Sequence, residues 1–177
     1  VAEGTVKDHE IEFCNSDEEL LQECDRRWQR SFPDCRLHRF ARKPSSYGKK
    51  PYQTREIHSR RVVRFLRNAG LKPVKSREKT VPQPVLQSPR AVAAAFLQAY
   101  FEGDGSISAS GKKMVELSCV SVSETLIDQI QILLLRFGIA STKRFDRYRR
   151  THKLYIRGLE NYRLFKEQIG FVSKRKK

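Results

Sequence analysis

The sequence lacks the spacings that would make a zinc site or a disulfide framework. Its four cysteines, Cys14, Cys24, Cys35 and Cys119, form no CxxC pair, which points to reduced, mostly buried thiols. His9, His38, His58 and His152 are scattered without HxxxH spacing, so no zinc site is expected. There is no apolar run of about 18 residues and no basic helix with a wholly apolar face, which argues against a membrane partner. No signal peptide is visible, in keeping with an intracellular protein of cytoplasm or nucleoid, an organelle included. Acids are the other shortage: 20 Asp and Glu stand against 36 Lys and Arg, a formal net charge of +16 over 177 residues. That excess suits a polyanion, with nucleic acid the leading partner. A hydrophobic content of 38% is enough for a real core, in one domain or two small ones.

Against this basic background one acid stands out. Leu97 to Gly105 reads LQAYFEGDG, an apolar helical stretch running into Glu-Gly-Asp-Gly that sets Asp104 at a helix end. The helix is expected from Pro89 with Ser88 as its cap. It carries Ala91, Ala95, Ala99 and Gly103 at intervals of four, a small-residue stripe on which another helix can pack closely. The start of the chain matches the end of this stretch: Val1 to Thr5 align with Glu102 to Ser106, which places Glu3 opposite Asp104. The chain opens on valine inside this pattern, so a processed or truncated piece is expected.

With Glu3 set on Asp104 much of the chain falls into a repeat of about a hundred residues, a period that indicates domain duplication. Ile11, Glu12, Phe13 and Cys14 lie over Leu117, Ser118, Cys119 and Val120. Amphipathic helices follow, through Leu20, Leu21, Cys24, Trp28 and Phe32 after the capping pattern Ser16 to Glu19, and through Leu126, Ile127, Ile130, Leu133, Leu134 and Phe137 after a Ser123 cap. Arg39, Phe40 and Arg42 then align with Arg144, Phe145 and Arg147. Each copy continues with a basic hairpin, a short strand and a last helix, Arg60 to Ala69 before Gly70 and Leu159 to Ile169 before Gly170. Residues 1–75 form the first repeat, 76–88 a linker and 89–177 the second repeat. The stretch from Lys72 to Ser88, with Pro73, Pro82 and Pro84, reads as extended.

The hairpins are the candidate DNA contacts. Arg36, His38, Arg39, Arg42, Lys43, Lys49, Lys50 and Arg55 belong to the first. Lys143, Arg144, Arg147, Arg149, Arg150 and Lys153 belong to the second, which Asp146 alone interrupts before Arg157. Alternation sends one set of strand side chains to the core and the other to an open face, and a basic antiparallel ribbon fits the major groove. Glu10, Glu12 and Glu116 run against this pattern; pairing with nearby arginines or acceptance from cytosine amino groups would accommodate them.

Leu97 to Gly105 resembles the LAGLIDADG motif, and the two-copy arrangement resembles the single-chain LAGLIDADG homing endonucleases, including the nuclease domains of inteins. The end, Gly170 to Lys176, is similar to the end of an intein-type nuclease domain. The resemblance implies an α+β fold of two pseudo-symmetric αββαββα repeats, the first lacking most of its opening helix, whose curved antiparallel sheets form a DNA-binding saddle. It implies a monomer with internal symmetry, or a homodimer should the first motif not be real. It implies a site-specific endonuclease that hydrolyses both strands of an extended duplex target with Mg²⁺, or Mn²⁺ in its place, and leaves short 3′ overhangs. Asp104 and Glu3 would be the catalytic metal ligands, joined by the carbonyls of Gly103 and Ala2. Carboxylates are hard oxygen donors suited to such ions, and a cation neutralises charge developing on a phosphodiester and activates water. Lys50 would stand near one scissile phosphate, with Arg149 or Lys153 at the other. A non-cleaving LAGLIDADG-fold DNA-binding regulator and an RNA-binding splicing maturase are the alternatives. Protein splicing is disfavoured, because Val1 and Lys177 supply neither a nucleophile nor a terminal His-Asn pair.

Overall fold

The computed structural model describes residues 4–44, 51–110 and 114–176, with backbone only at 109, 110 and 114. Glu3, Ala2, Lys49 and Lys50 lie outside the described residues. The chain divides into two compact units between Pro73 and Val74. The elements are those of an α+β protein with two four-stranded antiparallel sheets.

In the first unit β1 (Gly4–Val6), β2 (Glu10–Asn15), α1 (Glu18–Ser31), β3 (His38–Arg42), β4 (Tyr52–His58) and α2 (Arg60–Asn68) follow one another. The sheet order is β1-β2-β4-β3. Asp17 caps α1, accepting from the Glu19 amide at 3.0 Å, and Ser59 caps α2. Ile11 and Ile57 pair across β2 and β4 and bury against Val62 and Val63 of α2, with Trp28, Phe32 and Leu66 around them. Gly70, at φ 95°, ends the unit's last helix, a left-handed position that glycine occupies without strain.

The second unit opens on a 3₁₀ turn at Ser76–Glu78 and α3 (Gln83–Leu86), then α4 (Arg90–Gly103), β5 (Gly105–Ser110), β6 (Met114–Ser121), α5 (Glu124–Leu135), β7 (Thr142–Asp146), β8 (Thr151–Arg157) and α6 (Leu159–Gln168). Its sheet order, β5-β6-β8-β7, repeats that of the first. This core is larger. Leu97 and Phe101 of α4, Leu117 and Cys119 of β6, Ile127, Ile130 and Leu134 of α5, Leu154 and Ile156 of β8 and Phe165 of α6 are all buried together. Ser123 caps α5 as expected, accepting from the Leu126 amide at 3.2 Å.

Several local expectations change. Pro89, not Ser88, is the cap of α4; the Ser88 hydroxyl instead donates to the Val85 carbonyl at the end of α3, 2.7 Å away. The proline-containing stretch before α4 is packed, not extended. Val81 is buried in the second core, its amide donates to Gln129 at 2.7 Å, and the Ser123 hydroxyl donates to the Lys79 carbonyl at 2.7 Å. Along the small-residue stripe of α4, Ala91, Ala95 and Ala99 are exposed.

A further change concerns register. Gly4 pairs with Phe13 as Gly105 pairs with Cys119, so the alignment of β2 on β6 holds residue by residue. On the outer strands His38 faces Glu56 while Thr142 faces Tyr155, and Ile57 faces Ile11 as Ile156 faces Leu117. The structural counterpart of Arg39 is therefore Lys143, not Arg144. A slip of one residue moves every side chain to the other face: Phe40 lies on the open face of its sheet and Phe145 on the helix side of the other. The shared Arg-Phe-x-Arg lettering is not a structural equivalence.

Candidate nucleic-acid interface and metal-binding acid

Asp104 is the last residue of the turn that closes α4, with φ −93° and ψ −3°, and its amide donates to the Tyr100 carbonyl at 2.9 Å. The chain leaves at once into β5, and Gly105 makes this possible. A Cβ there would lie 2.2 Å from the Phe101 carbonyl oxygen, a distance no side chain tolerates. The neighbouring acid has a different job. Glu102 is 4% exposed and accepts from the Val172 amide at 2.8 Å, the Ser173 amide at 3.3 Å and the Ser173 hydroxyl at 2.5 Å. It is a fastener for the C-terminal tail.

That tail returns a cation to the helix end. Lys176 Nζ donates to the carbonyls of Phe101, Glu102 and Gly105 at 2.9, 2.6 and 2.8 Å, where the negative end of the helix dipole favours positive charge. Replacing Lys176 with methionine is expected to cost about 1 kcal/mol of second-unit stability, read as a lower denaturation midpoint at unchanged slope; an unchanged midpoint would mean that water replaces the ammonium without loss.

Asp104 is itself exposed, yet the surrounding protein removes enough water to hold its carboxyl above the ordinary carboxylate pKa, with Lys79 and Lys176 pulling the other way. A carboxylate held partly desolvated gains when a hard cation arrives. The donor chemistry at Asp104 fits a divalent ion such as Mg²⁺, with the Gly103 carbonyl one residue away in the chain.

The open face of the second sheet is basic. Leu154 and Ile156 of β8 point into the core, so Lys153, Tyr155 and Arg157 point outward, opposite Val120, Ser118 and Glu116 of β6. Arg144 shares this face, paired with Lys153. Lys153 Nζ and the Arg157 guanidinium both lie over the Tyr155 ring, 4.8 and 4.2 Å from its centroid. Beyond the face lies the β7–β8 turn. Asp146 accepts from the amides of Tyr148 and Arg149, both at 3.0 Å, and this Asx turn displays Arg147, Tyr148, Arg149 and Arg150, all exposed. Asp146, the single acid in the basic run, is thus what shapes the turn.

Other expected contacts point elsewhere. Lys143 is on the helix side, bonded to Asp128 and Glu124 of α5. Arg39 bonds Asp25 of α1 at 3.0 Å, and Arg55, 3% exposed, bonds the same carboxylate at 2.7 Å. These three cations hold sheet to helix, because each occupies a parity position that faces the helices. Arg36 and Lys43 are exposed in loops beside β3. On the open face of the first sheet stand His38, Phe40, Arg42, Thr54, Glu56, His58, Glu10 and Glu12. The acids there are compensated. Arg42 bonds Glu56 at 2.9 Å, Lys7 bonds Glu10 and Glu12, and His58 lies 3.4 Å from Glu10 and 3.3 Å from Glu56. The His38 ring is edge-on to His58 and parallel to Phe40. Positions one residue from the inward-facing Ile57 and Ile156 put Glu56, Tyr155 and Arg157 on the open faces, whereas positions two away, such as Arg55 and Leu154, face the helices.

The chain is similar to known proteins in sequence and in fold. A family model, the LAGLIDADG-like domain, matches residues 91–170. Among curated proteins, a DNA gyrase subunit of Mycobacterium gordonae is 37% identical over 116 residues, 66% of this chain and 21% of that protein. Replication factor C small subunit of Methanocaldococcus jannaschii is 30% identical over 176 residues, 95% of this chain and 9% of that protein. The chain thus spans about a fifth or less of the length of these relatives. Among solved structures, I-DmoI in complex with DNA and Mn superposes with a TM-score of 0.64 at 13% identity, over 91% of this chain and 80% of that one. The N-terminal LAGLIDADG domain of DUF199/WhiA gives 0.63 at 18% identity, over 98% and 78%. With the Glu-Gly-Asp-Gly helix end, the repeated sheet order and the family model in agreement, the chain is a LAGLIDADG-type protein.

Proposed function

We propose that this chain is a site-specific endonuclease that cuts both strands of duplex DNA with Mg²⁺, or Mn²⁺ in its place, and leaves short 3′ overhangs. Asp104 carries the reading: a carboxylate at the end of α4, desolvated enough to favour a cation, beside a sheet whose open face and turn are basic. The structural neighbours support it, since I-DmoI was crystallised with DNA and Mn, Mg or Ca. Glu3 is the proposed second acid, because β1 starts directly after it as β5 starts after Asp104. A bound divalent ion would supply charge neutralisation at the phosphate and a more acidic water. The chain's own residues hold Asp104 in place through Gly105, Glu102 and Lys176 and draw the duplex in through the cations of β7, β8 and their turn.

Double-strand cleavage that stops with EDTA tests this proposal. Sequence-specific binding without cleavage would establish a second reading, a DNA-binding regulator on the same fold, which the match to the WhiA domain over 98% of the chain keeps in view. Under either reading Arg147 and Arg149, exposed on the turn, are proposed phosphate contacts. Replacing Arg149 with alanine is expected to weaken binding to every duplex alike and to reduce the slope of log K against log salt by about one. An unchanged slope would remove Arg149 from the phosphate set.

A further inference from the structure

Two arginines on the open faces of the sheets are each held by a ring and a carboxylate. Arg157 has its guanidinium 4.2 Å from the Tyr155 ring centroid while its Nε donates to Glu116 Oε2 at 2.7 Å. Arg42 lies 5.1 Å from the Phe40 ring centroid while its Nη2 donates to Glu56 Oε1 at 2.9 Å. Glu56 is in turn fixed, 7% exposed and accepting from the Thr54 hydroxyl at 3.1 Å. Each of the two sheets therefore carries one arginine on its open face that is stacked on an aromatic ring and braced by a glutamate from a neighbouring strand. The positions are not register equivalents, since Arg157 takes the place of His58 and Arg42 that of Asp146.

This arrangement is poor for phosphate and good for a base edge. A glutamate at the guanidinium offsets the charge that a phosphate would seek and repels the phosphate itself, whereas the turn arginines face solvent with no such brace among the described residues. Guanine O6 and N7 are neutral acceptors that need two N–H groups in one plane at a fixed orientation. Stacking fixes the plane and the carboxylate fixes the rotation, so the ordering cost is met before DNA arrives. With Nε engaged by Glu116, the two Nη groups of Arg157 form the end-on pair that guanine accepts. Arg42 keeps Nη1 and the second Nη2 hydrogen for the same purpose.

We propose that Arg157 and Arg42 each read a guanine in the major groove, one through each sheet, while the turn arginines carry phosphate. The proposal rests on duplex DNA binding and holds whether or not the chain cleaves. Selection of bound duplexes from a random library tests it, with wild type, Arg157→Ala, Arg42→Ala, Glu116→Ala and Arg149→Ala compared side by side and each checked for an unchanged thermal transition. Wild type should enrich a site with two positions fixed as guanine. Arg157→Ala should lose the preference at one of them by about tenfold or more, and Arg42→Ala at the other. Glu116→Ala should weaken the Arg157-dependent preference while keeping the arginine. Arg149→Ala should leave the sequence of the site unaltered. An Arg157→Ala protein that keeps both guanines and shows a lower salt slope would overturn the proposal and make Arg157 a phosphate contact. Wild type that enriches no duplex would overturn the DNA-binding reading itself, a separate outcome.

Discussion

Asp104→Asn is expected to lower cleavage of the selected duplex by about three orders of magnitude or more while DNA affinity, measured without metal, changes by less than about twofold. Asparagine keeps the size and the turn but gives up the charge that makes the residue a hard anionic donor. Gly105, Glu102 and the Lys176 cap are untouched, so the helix end keeps its shape. The same substitution separates a catalytic from a structural role through stability. The Asp104 carboxyl has a raised pKa in the folded chain, mainly because the surrounding protein partly desolvates it; the folded state then binds more protons than the unfolded state across that interval, and stability falls as pH rises through it. Removing the ionisable group lifts this penalty above the interval. The melting temperature of Asp104→Asn at neutral pH should therefore equal or exceed that of wild type. Cleavage, which needs the ionised carboxylate, should in turn decline on acidification at a higher pH than an unperturbed aspartate would give. Full activity in the Asn variant would sink the assignment of Asp104.

Phe101→Ala is expected to remove about 3–5 kcal/mol of stability, a large part of what a domain of this size has. Phe101 is fully buried one turn before Asp104, edge-on to Phe165 at 5.0 Å and to Tyr100 at 5.9 Å between ring centroids. Its carbonyl is also the one that Lys176 caps and that forbids a side chain at Gly105. The ring thus anchors α4 between α6 and the sheet, and the backbone of the same residue sets the turn that presents the acid. Chemical denaturation should show a lower midpoint at constant slope. A loss under about 1 kcal/mol would mean that the neighbouring side chains close over the space, contrary to the packing described.

Much of the fold was legible because helices and caps are written locally. The Ser123 cap, the apolar stripe of α5, and Gly70 and Gly170 after the last helix of each unit all fall where the pattern placed them. Central strand pairing was legible too, since Ile11, Ile57, Leu117 and Ile156 are apolar markers of the inner face. The outer strands lack such markers. In β3 the apolar residue, Phe40, points outward to stack with His38 and Arg42, while Arg39 turns inward to Asp25. An ion pair to a helix overrides the hydrophobic pattern there, and the sequence lettering common to β3 and β7 then suggests the wrong register. Arg55 and Lys143 leave the open face for a related reason: a run of cations that is continuous in sequence is sorted by parity in a sheet, and these two meet Asp25 and the Glu124 and Asp128 carboxylates on the helix side. In β4 the inner-face neighbour of Ile57 is the buried arginine, where β8 has Leu154. At the candidate site the motif singles out Asp104 in the sequence, whereas the bonds of Glu102 to Val172 and Ser173 are not written locally. The Lys176 cap joins residues more than seventy positions apart, which no local pattern encodes.

In the proposed function a basic LAGLIDADG-type scaffold delivers a metal-binding acid to DNA. The most direct test of this function is end mapping of a random-duplex library incubated with the chain and Mg²⁺. Breaks on both strands at one recovered sequence, with short 3′ overhangs, absent with EDTA and absent with Asp104→Asn, are the expected result. The same sequence recovered bound but intact would contradict the nuclease reading and leave a DNA-binding regulator.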